Sequence, residues 1–344
     1  MSEIVFILGA GASKHCGAPL MGEFLDRADN LRREGGGHID HEAFNRVFNA
    51  VSELQKVHSK ATLDLDNLES VFGAFEMAQV IGLFPGLSGD AIPQLNRSFR
   101  KVIAQTLEET VGFVFAKGQI NPPTDYHNFA DLISDLGSGR RRRTCSIITF
   151  NYDVALDYAL HFNSVPFSYG LEQGDTQLPY LKLHGSLNWV QTTETPPRVV
   201  AWPVKEWSAV QTLHLDEKDL VRYRVSRQLE HQNPALGQFG YDFNPVIIPP
   251  TWNKTAYQAN LANVWQRAAR ELADAQQIFV SGYSLIATDA YFRYLFALGA
   301  VAHPVLRDSW WPTHRPSCRN ASGTFLGQTR AANSRQGRSS SVLW

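Results

Sequence analysis

Several short segments carry residue types that bind phosphate or move protons. The first, Gly9-Ala10-Gly11-Ala12-Ser13, directly follows the apolar run Ile4-Val5-Phe6-Ile7-Leu8. Glycine has no side chain, so a turn of this kind lets a pyrophosphate approach the N–H groups that open the next helix. Ser13 stands where the dinucleotide fingerprint has glycine, and a purely structural turn is the competing reading. No Gly-Lys-Ser/Thr follows, which excludes a Walker loop. Further on, apolar runs end in Asn151-Tyr152-Asp153, in His184-Gly185-Ser186, in Pro249-Pro250-Thr251-Trp252-Asn253-Lys254 and in Ser281-Gly282-Tyr283-Ser284. A carboxylate and an amide together suit the stabilisation of a developing cation. A histidine suits proton transfer, because its ordinary pKa of about 6.5 lies near working pH. Taken singly, Asn151 or Asp153 reads more readily as a helix cap, and His184 as a satisfied buried histidine; their coincidence is harder to dismiss.

The surrounding elements explain why these residues would meet. Strand signals fall at residues 4–8, 145–150, 180–183, 245–248 and 277–280, and helical patterns follow several of them, as at 152–162 and 257–275. This predicts parallel βαβ units in an α/β fold with a Rossmann-like, doubly wound, mainly parallel sheet. Ligands of such sheets bind at the carboxyl ends of the strands, where every polar cluster lies. After the first strand, segments 20–31, 44–57, 68–81 and 95–115 carry apolar residues at helical spacing, so an inserted helical subdomain is expected over about residues 20–137. A second insertion, about residues 202–244, mixes charged and aromatic residues as a folded segment does.

Composition narrows the function classes. Of 344 residues, 44% are hydrophobic and 19% charged, ordinary values for a globular chain with a full core. A net charge of −1 supplies no global field for nucleic acid or an anionic membrane, and no apolar run is long enough to span a bilayer. A cytoplasmic protein with no membrane association is expected. Cys16, Cys145 and Cys318 form no Cys-x-x-Cys pair, which argues against a disulfide framework and a zinc site. The basic run at residues 140–143 reads as a solvated loop ahead of a nucleic-acid contact.

The ordered motifs resemble those of sirtuin-like domains: the Gly9–Ser13 turn with Gly17-Ala18-Pro19, Thr149-Phe150-Asn151-Tyr152-Asp153, Leu183-His184-Gly185-Ser186, and Gly282-Tyr283-Ser284-Leu285. More narrowly, Ile248-Pro249-Pro250-Thr251-Trp252-Asn253-Lys254, and Tyr283-Ser284-Leu285 followed by Thr288-Asp289, resemble the bacterial branch associated with NAD hydrolysis in anti-phage defence. The resemblance covers roughly residues 3–299. It implies a Rossmann-like sheet with a helical insertion that binds NAD as substrate and breaks the bond between nicotinamide and ribose. By the same resemblance Gly9, Ala10, Gly11, Ala12 and Ser13 cradle the pyrophosphate, Pro19 and Gly185 belong to the same binding set, and Gly282, Tyr283 and Ser284 meet the ADP-ribose. Asn151 and Asp153 hold the nicotinamide ribose and orient a water, and His184 acts as general base. An effector of that kind implies an activating partner protein or nucleic-acid-associated complex, and a homo-oligomer is compatible with it.

Departures from the family also shape the reading. Deacetylating sirtuins carry a four-cysteine zinc module that three unpaired cysteines cannot build, so no zinc is expected. They also follow the early proline with Asp-Phe-Arg, where this chain has Leu20-Met21-Gly22-Glu23-Phe24. Hydrolysis is therefore expected ahead of protein deacetylation; the alternatives are a non-catalytic module sensing NAD or an ADP-ribose derivative, which the same pocket would permit, and a protein deacylase or ADP-ribosyl transferase. From Ser309 to Trp344 there is no Asp, Glu or Lys but there are five arginines, a composition expected to be disordered. The sequence thus divides into a domain at 1–306 and a tail at 307–344. With no convincing final strand beyond residues 301–306, the expectation is a reading frame lost near Arg307 and an incomplete domain edge.

Overall fold

A computed structural model describes residues 2–57, 63–138, 140, 142–172, 174, 176–202, 204, 220–222, 224, 240–242, 244–248, 255–283, 290–300 and 308–310. Strand β1 (Ile4–Leu8) is apolar and buried at every position, the pattern of a parallel strand covered on both faces. It pairs in parallel with β4 (Cys145–Thr149) on one side and β13 (Gln277–Ser281) on the other. Beyond β4 lie β6 (Leu178–Lys182) and the short β5 (Phe167–Ser168); beyond β13 lies β14 (Asp308–Trp310). The order is β14-β13-β1-β4-β6-β5, parallel throughout. The chain moves outward from β1 to one edge, then returns to the other side of β1. The topological switch therefore lies between β1 and β13, where ligands of open α/β sheets bind.

Alternate residues of β1 serve two cores. Ile4, Phe6 and Leu8 pack in the cluster that contains Ala130 and Ile133 of α5 (Thr124–Ser138) and Leu156 of α6 (Ala155–Phe162). Val5 and Ile7 join Leu261, Val264 and Leu272 of α7 (Thr255–Asp274) and Phe292 of α8 (Ala290–Ala300). Helices thus cover both faces, and each fully buried valine or isoleucine stabilises by about 1.5–3 kcal/mol.

The helical insertion contains α1 (Phe24–Glu34), α2 (His41–Val57), α3 (Leu68–Ile81) and α4 (Ala91–Thr110). Helix α3 starts where the Asn67 side chain accepts the Glu69 N–H at 2.8 Å and stops at Gly82 in the left-handed region. Phe99 of α4 packs on Phe72 and Phe75 of α3 at ring distances of 5.0 and 5.2 Å. The helical reading of 95–115 needs correction, because α4 ends at Thr110 and Gly112–Ala116 forms strand β2. Strand β2 turns through Lys117 and Gly118, both at positive φ, into β3 (Gln119–Asn121), a two-residue hairpin. It also pairs with β10 (Leu220–Arg222) through Gly112-Phe113-Val114, so a strand from the second insertion joins the hairpin in one sheet.

The strand expected at 245–248 exists as β12 (Val246–Ile247), but it pairs antiparallel with β7 (Gly185–Ser186) and not within the central sheet. Strands β8 (Trp189–Thr192), β9 (Val199–Ala201) and β11 (Tyr241–Asp242) form another small antiparallel sheet. One compact unit covers Met1–Trp311. The central sheet continues past the Leu306 limit drawn from sequence, because β14 adds a parallel strand to β13. The tail expectation for 312–344 lies outside the described residues. Among the described residues, no helix is long and apolar enough to cross a membrane.

Candidate functional site at the carboxyl edge of the sheet

The turns after β1 and β13 touch backbone to backbone. Gly9 N–H donates to Ser281 O at 3.0 Å, Gly11 N–H to Gly282 O at 2.9 Å, and Ala12 N–H to Gly9 O at 2.9 Å. Gly282 sits at φ +66°, and a Cβ there would stand 2.0 Å from Ala12 N. These glycines are therefore required by close packing at the switch point, whatever ligand they meet. The element after Gly9 is a 3₁₀ helix, Ala10–Cys16, and the three N–H groups named above are already bonded within the protein.

Ser13 is buried and its hydroxyl joins three parts of the chain. It donates to Asp153 Oδ2 at 2.8 Å and accepts from Asn151 Nδ2 at 2.9 Å. Its contact with Tyr126 OH is 2.7 Å. A hydroxyl has one proton and two lone pairs, and an amide nitrogen can only donate, so Tyr126 is the donor of the third bond. Ser13 is thus saturated, the hub of a network within the protein. Asn151 is only partly buried, and with Nδ2 committed to Ser13 its Oδ1 points away from that hydroxyl.

Asp153 is buried, with Oδ1 accepting the Ala155 N–H at 3.1 Å, so it also caps the first turn of α6. Burial pushes its carboxyl above the ordinary range, opposed chiefly by the Lys182 ammonium and the Ser13 hydrogen bond. Lys182 Nζ donates to the Asp153 carbonyl at 2.6 Å and pairs with Asp157 Oδ2 at 3.1 Å; both charged side chains are wholly enclosed. Asp157 also accepts from Tyr169 OH at 2.5 Å and Tyr180 OH at 3.0 Å. Burial, then the Asp157 charge, pushes both phenols well up, so they remain donors.

His184 is 4% exposed and lies against Phe150 at 5.2 Å and Tyr152 at 6.2 Å between ring centroids, the two residues that flank Asn151. Its carbonyl accepts the Ile248 N–H at 2.8 Å. Tyr283 stacks on Phe150 at 4.3 Å with planes 8° apart, so its ring forms part of the wall behind this edge. Gly185 has φ +88°, and a Cβ there would meet Val246 O at 2.0 Å, a demand of the β7–β12 pairing. Pro19 is buried after the 3₁₀ helix. Ser284, residues 249–254 and Thr288-Asp289 lie outside the described residues.

The structure therefore brings Ser13, Asn151, Asp153 and His184 to one edge. Sequence reasoning missed Tyr126, Lys182 and Asp157. The available signal was a lone lysine in the apolar strand Tyr180-Leu181-Lys182-Leu183 and a lone aspartate in Ala155-Leu156-Asp157-Tyr158. A groove of about 570 Å³, lined by Glu172, Gln177, Asn263, Gln266, Arg267 and Arg270 among others, contains none of these residues. Among the described residues, no cluster of three or more His, Cys, Asp or Glu could hold a metal. Cys16 and Cys145 are free and buried; burial pushes the Cys145 thiol up to about 11 and that of Cys16 higher still, so neither is a nucleophile at neutral pH. No protein-family model matches the chain, and no curated protein matches it.

Proposed function

We propose that the chain hydrolyses NAD to nicotinamide and ADP-ribose, as a zinc-free sirtuin-like enzyme acting as a defence effector. The observation that carries this reading is the shared edge: Asn151 is held by the Ser13 hydroxyl, and His184 lies against the two residues that flank Asn151. In the proposed reaction the ribose C1′–N bond breaks, its electron pair goes to the nicotinamide nitrogen, and the pyridinium becomes neutral. The ribose is left as an oxocarbenium-like cation, which oriented dipoles stabilise. Asn151 Oδ1, free of the Ser13 bond, holds a ribose hydroxyl or the attacking water. His184 takes the proton that the water loses on forming the new C1′–O bond.

Asp153 acts from behind Ser13, because both of its oxygens already accept protein hydrogen bonds. The pyrophosphate is assigned to the Gly9–Ser13 turn and Gly282. Binding there must release or bypass the internal bonds of Gly9, Gly11 and Ala12.

The test is nicotinamide release from NAD by the purified chain. His184→Ala and Asn151→Ala are expected to lower turnover by about 10²–10⁴-fold while the far-ultraviolet circular dichroism stays unchanged. Full turnover in either variant overturns the mechanism. NAD binding without release would favour a sensing module, and release that requires an acylated peptide would favour a deacylase.

A further inference from the structure

We propose that Lys182 and Asp157 are positioning residues for Asn151: the enclosed Lys182 ammonium grips the main chain at Asp153, and Asp157, with Tyr169 and Tyr180, holds that ammonium in place. The kinetic consequences rest on the NAD-hydrolase reading; the geometry does not.

Lys182 ends strand β6, two residues before His184. An ammonium has three protons. Those of Lys182 are directed at the Asp153 carbonyl at 2.6 Å and at the two Asp157 oxygens at 3.1 and 3.4 Å. Asp157 is fixed in turn by Tyr169 and Tyr180, and Tyr169 OH accepts from Asn188 Nδ2 at 3.0 Å. A buried ion pair is a poor source of stability, because desolvation offsets the attraction and an apolar pair of similar volume does at least as well. What apolar side chains cannot do is draw a carbonyl to a fixed point and place a positive charge beside a buried carboxylate.

Both actions converge on Asp153. Its carbonyl is pinned, so its carboxylate stands where Ser13 Oγ–H reaches it. With Asp153 ionised, the Ser13 proton is committed and the Ser13 lone pairs must accept, which turns Nδ2 of Asn151 inward and Oδ1 outward. With Asp153 protonated, the carboxyl itself donates, and the sense of the Asn151 amide is no longer enforced. The titratable groups facing Asp153 are Lys182 and Tyr180 from β6, Asp157 from α6, Tyr126 from α5 and Cys16 from the 3₁₀ helix.

The deciding variant is the double substitution Lys182→Met with Asp157→Leu, which removes both charges together and avoids stranding one of them. Two readouts are made on the full chain. Carbon-13 titration of the Asp153 carboxyl, with the Asn151 side-chain amide resonances, needs no activity. In the double variant the Asp153 midpoint is expected to rise and the Asn151 amide resonances to shift. Nicotinamide release is expected to lose about 100-fold in kcat with little change in KM, the cost of an angstrom-scale misplacement. The acidic limb of the kcat profile should move up with the Asp153 midpoint. A folded double variant whose Asp153 midpoint and Asn151 resonances match the parent overturns the proposal, whatever the activity. A parent protein that binds no NAD and releases no nicotinamide overturns the hydrolase reading, and the titration still decides the positioning role.

Discussion

Two wholly enclosed carboxylates sit on helices that cover opposite faces of the same sheet, and they are satisfied in different ways. Asp157, on α6, takes its donors from Tyr169, Tyr180 and Lys182, and the lysine is as enclosed as the carboxylate. Glu271, on α7, accepts the Ser2 N–H at 2.8 Å and the Arg267 Nε–H at 2.6 Å, and Arg267 remains 28% exposed. Charge and burial are alike; what differs is whether the cation can return to water. Arg267 can swing outward and recover its hydration, so Glu271 serves as an anchor for the start of β1. Lys182 cannot, so any change at Asp157 must be absorbed by the main chain at Asp153. A buried polar group that cannot be rehydrated transmits geometry, and one that can be rehydrated mostly fastens.

The sharpest way to break this comparison is Asp157→Ala. It strands the Lys182 ammonium and is expected to cost about 3–5 kcal/mol in urea unfolding. Glu271→Ala is expected to cost less, about 1–3 kcal/mol, because only the Ser2 N–H is left without its acceptor. Equal losses would show that the two networks do not differ in kind.

The smallest effect is read from pH. The Asp153 carboxyl titrates above its unfolded value because of burial, so the folded chain binds that proton more tightly than the unfolded chain. Its contribution to stability is fully present below the unfolded value of about 4 and is lost as pH rises through the folded value. The difference in urea midpoint between the parent and Asp153→Asn should therefore fall over that window. A rising difference would mean that Lys182 outweighs burial.

Much of the central sheet was legible in the chain. The uninterrupted apolar run at β1 announces a strand covered on both faces, and the polar residues just past β4, β6 and β13 announce one crowded edge. The β2–β3 hairpin was not legible as such. Phe113-Val114-Phe115 continues the apolar spacing of α4, and it is pairing with β3 across the Lys117-Gly118 turn, and with β10 more than 100 residues away, that makes it a strand. The place of β12 outside the sheet was hidden for a similar reason, since its two residues take their pairing from β7.

The same division holds at the site. Local chain order is enough to place these residues at strand ends, because a strand-forming run and the helix that follows it are fixed within a dozen residues. The glycines themselves are visible in the sequence, but the need for them comes from the contact between the β1 and β13 turns. Long-range packing is what saturates the hydroxyl of Ser13, whose partners lie 113 to 140 residues away. The same packing sets a lysine of an apolar strand to hold the chain at Asp153. Hydrogen-bond direction and desolvation depend on every group within a few ångströms, and those groups become neighbours only when the distant parts of the chain have packed.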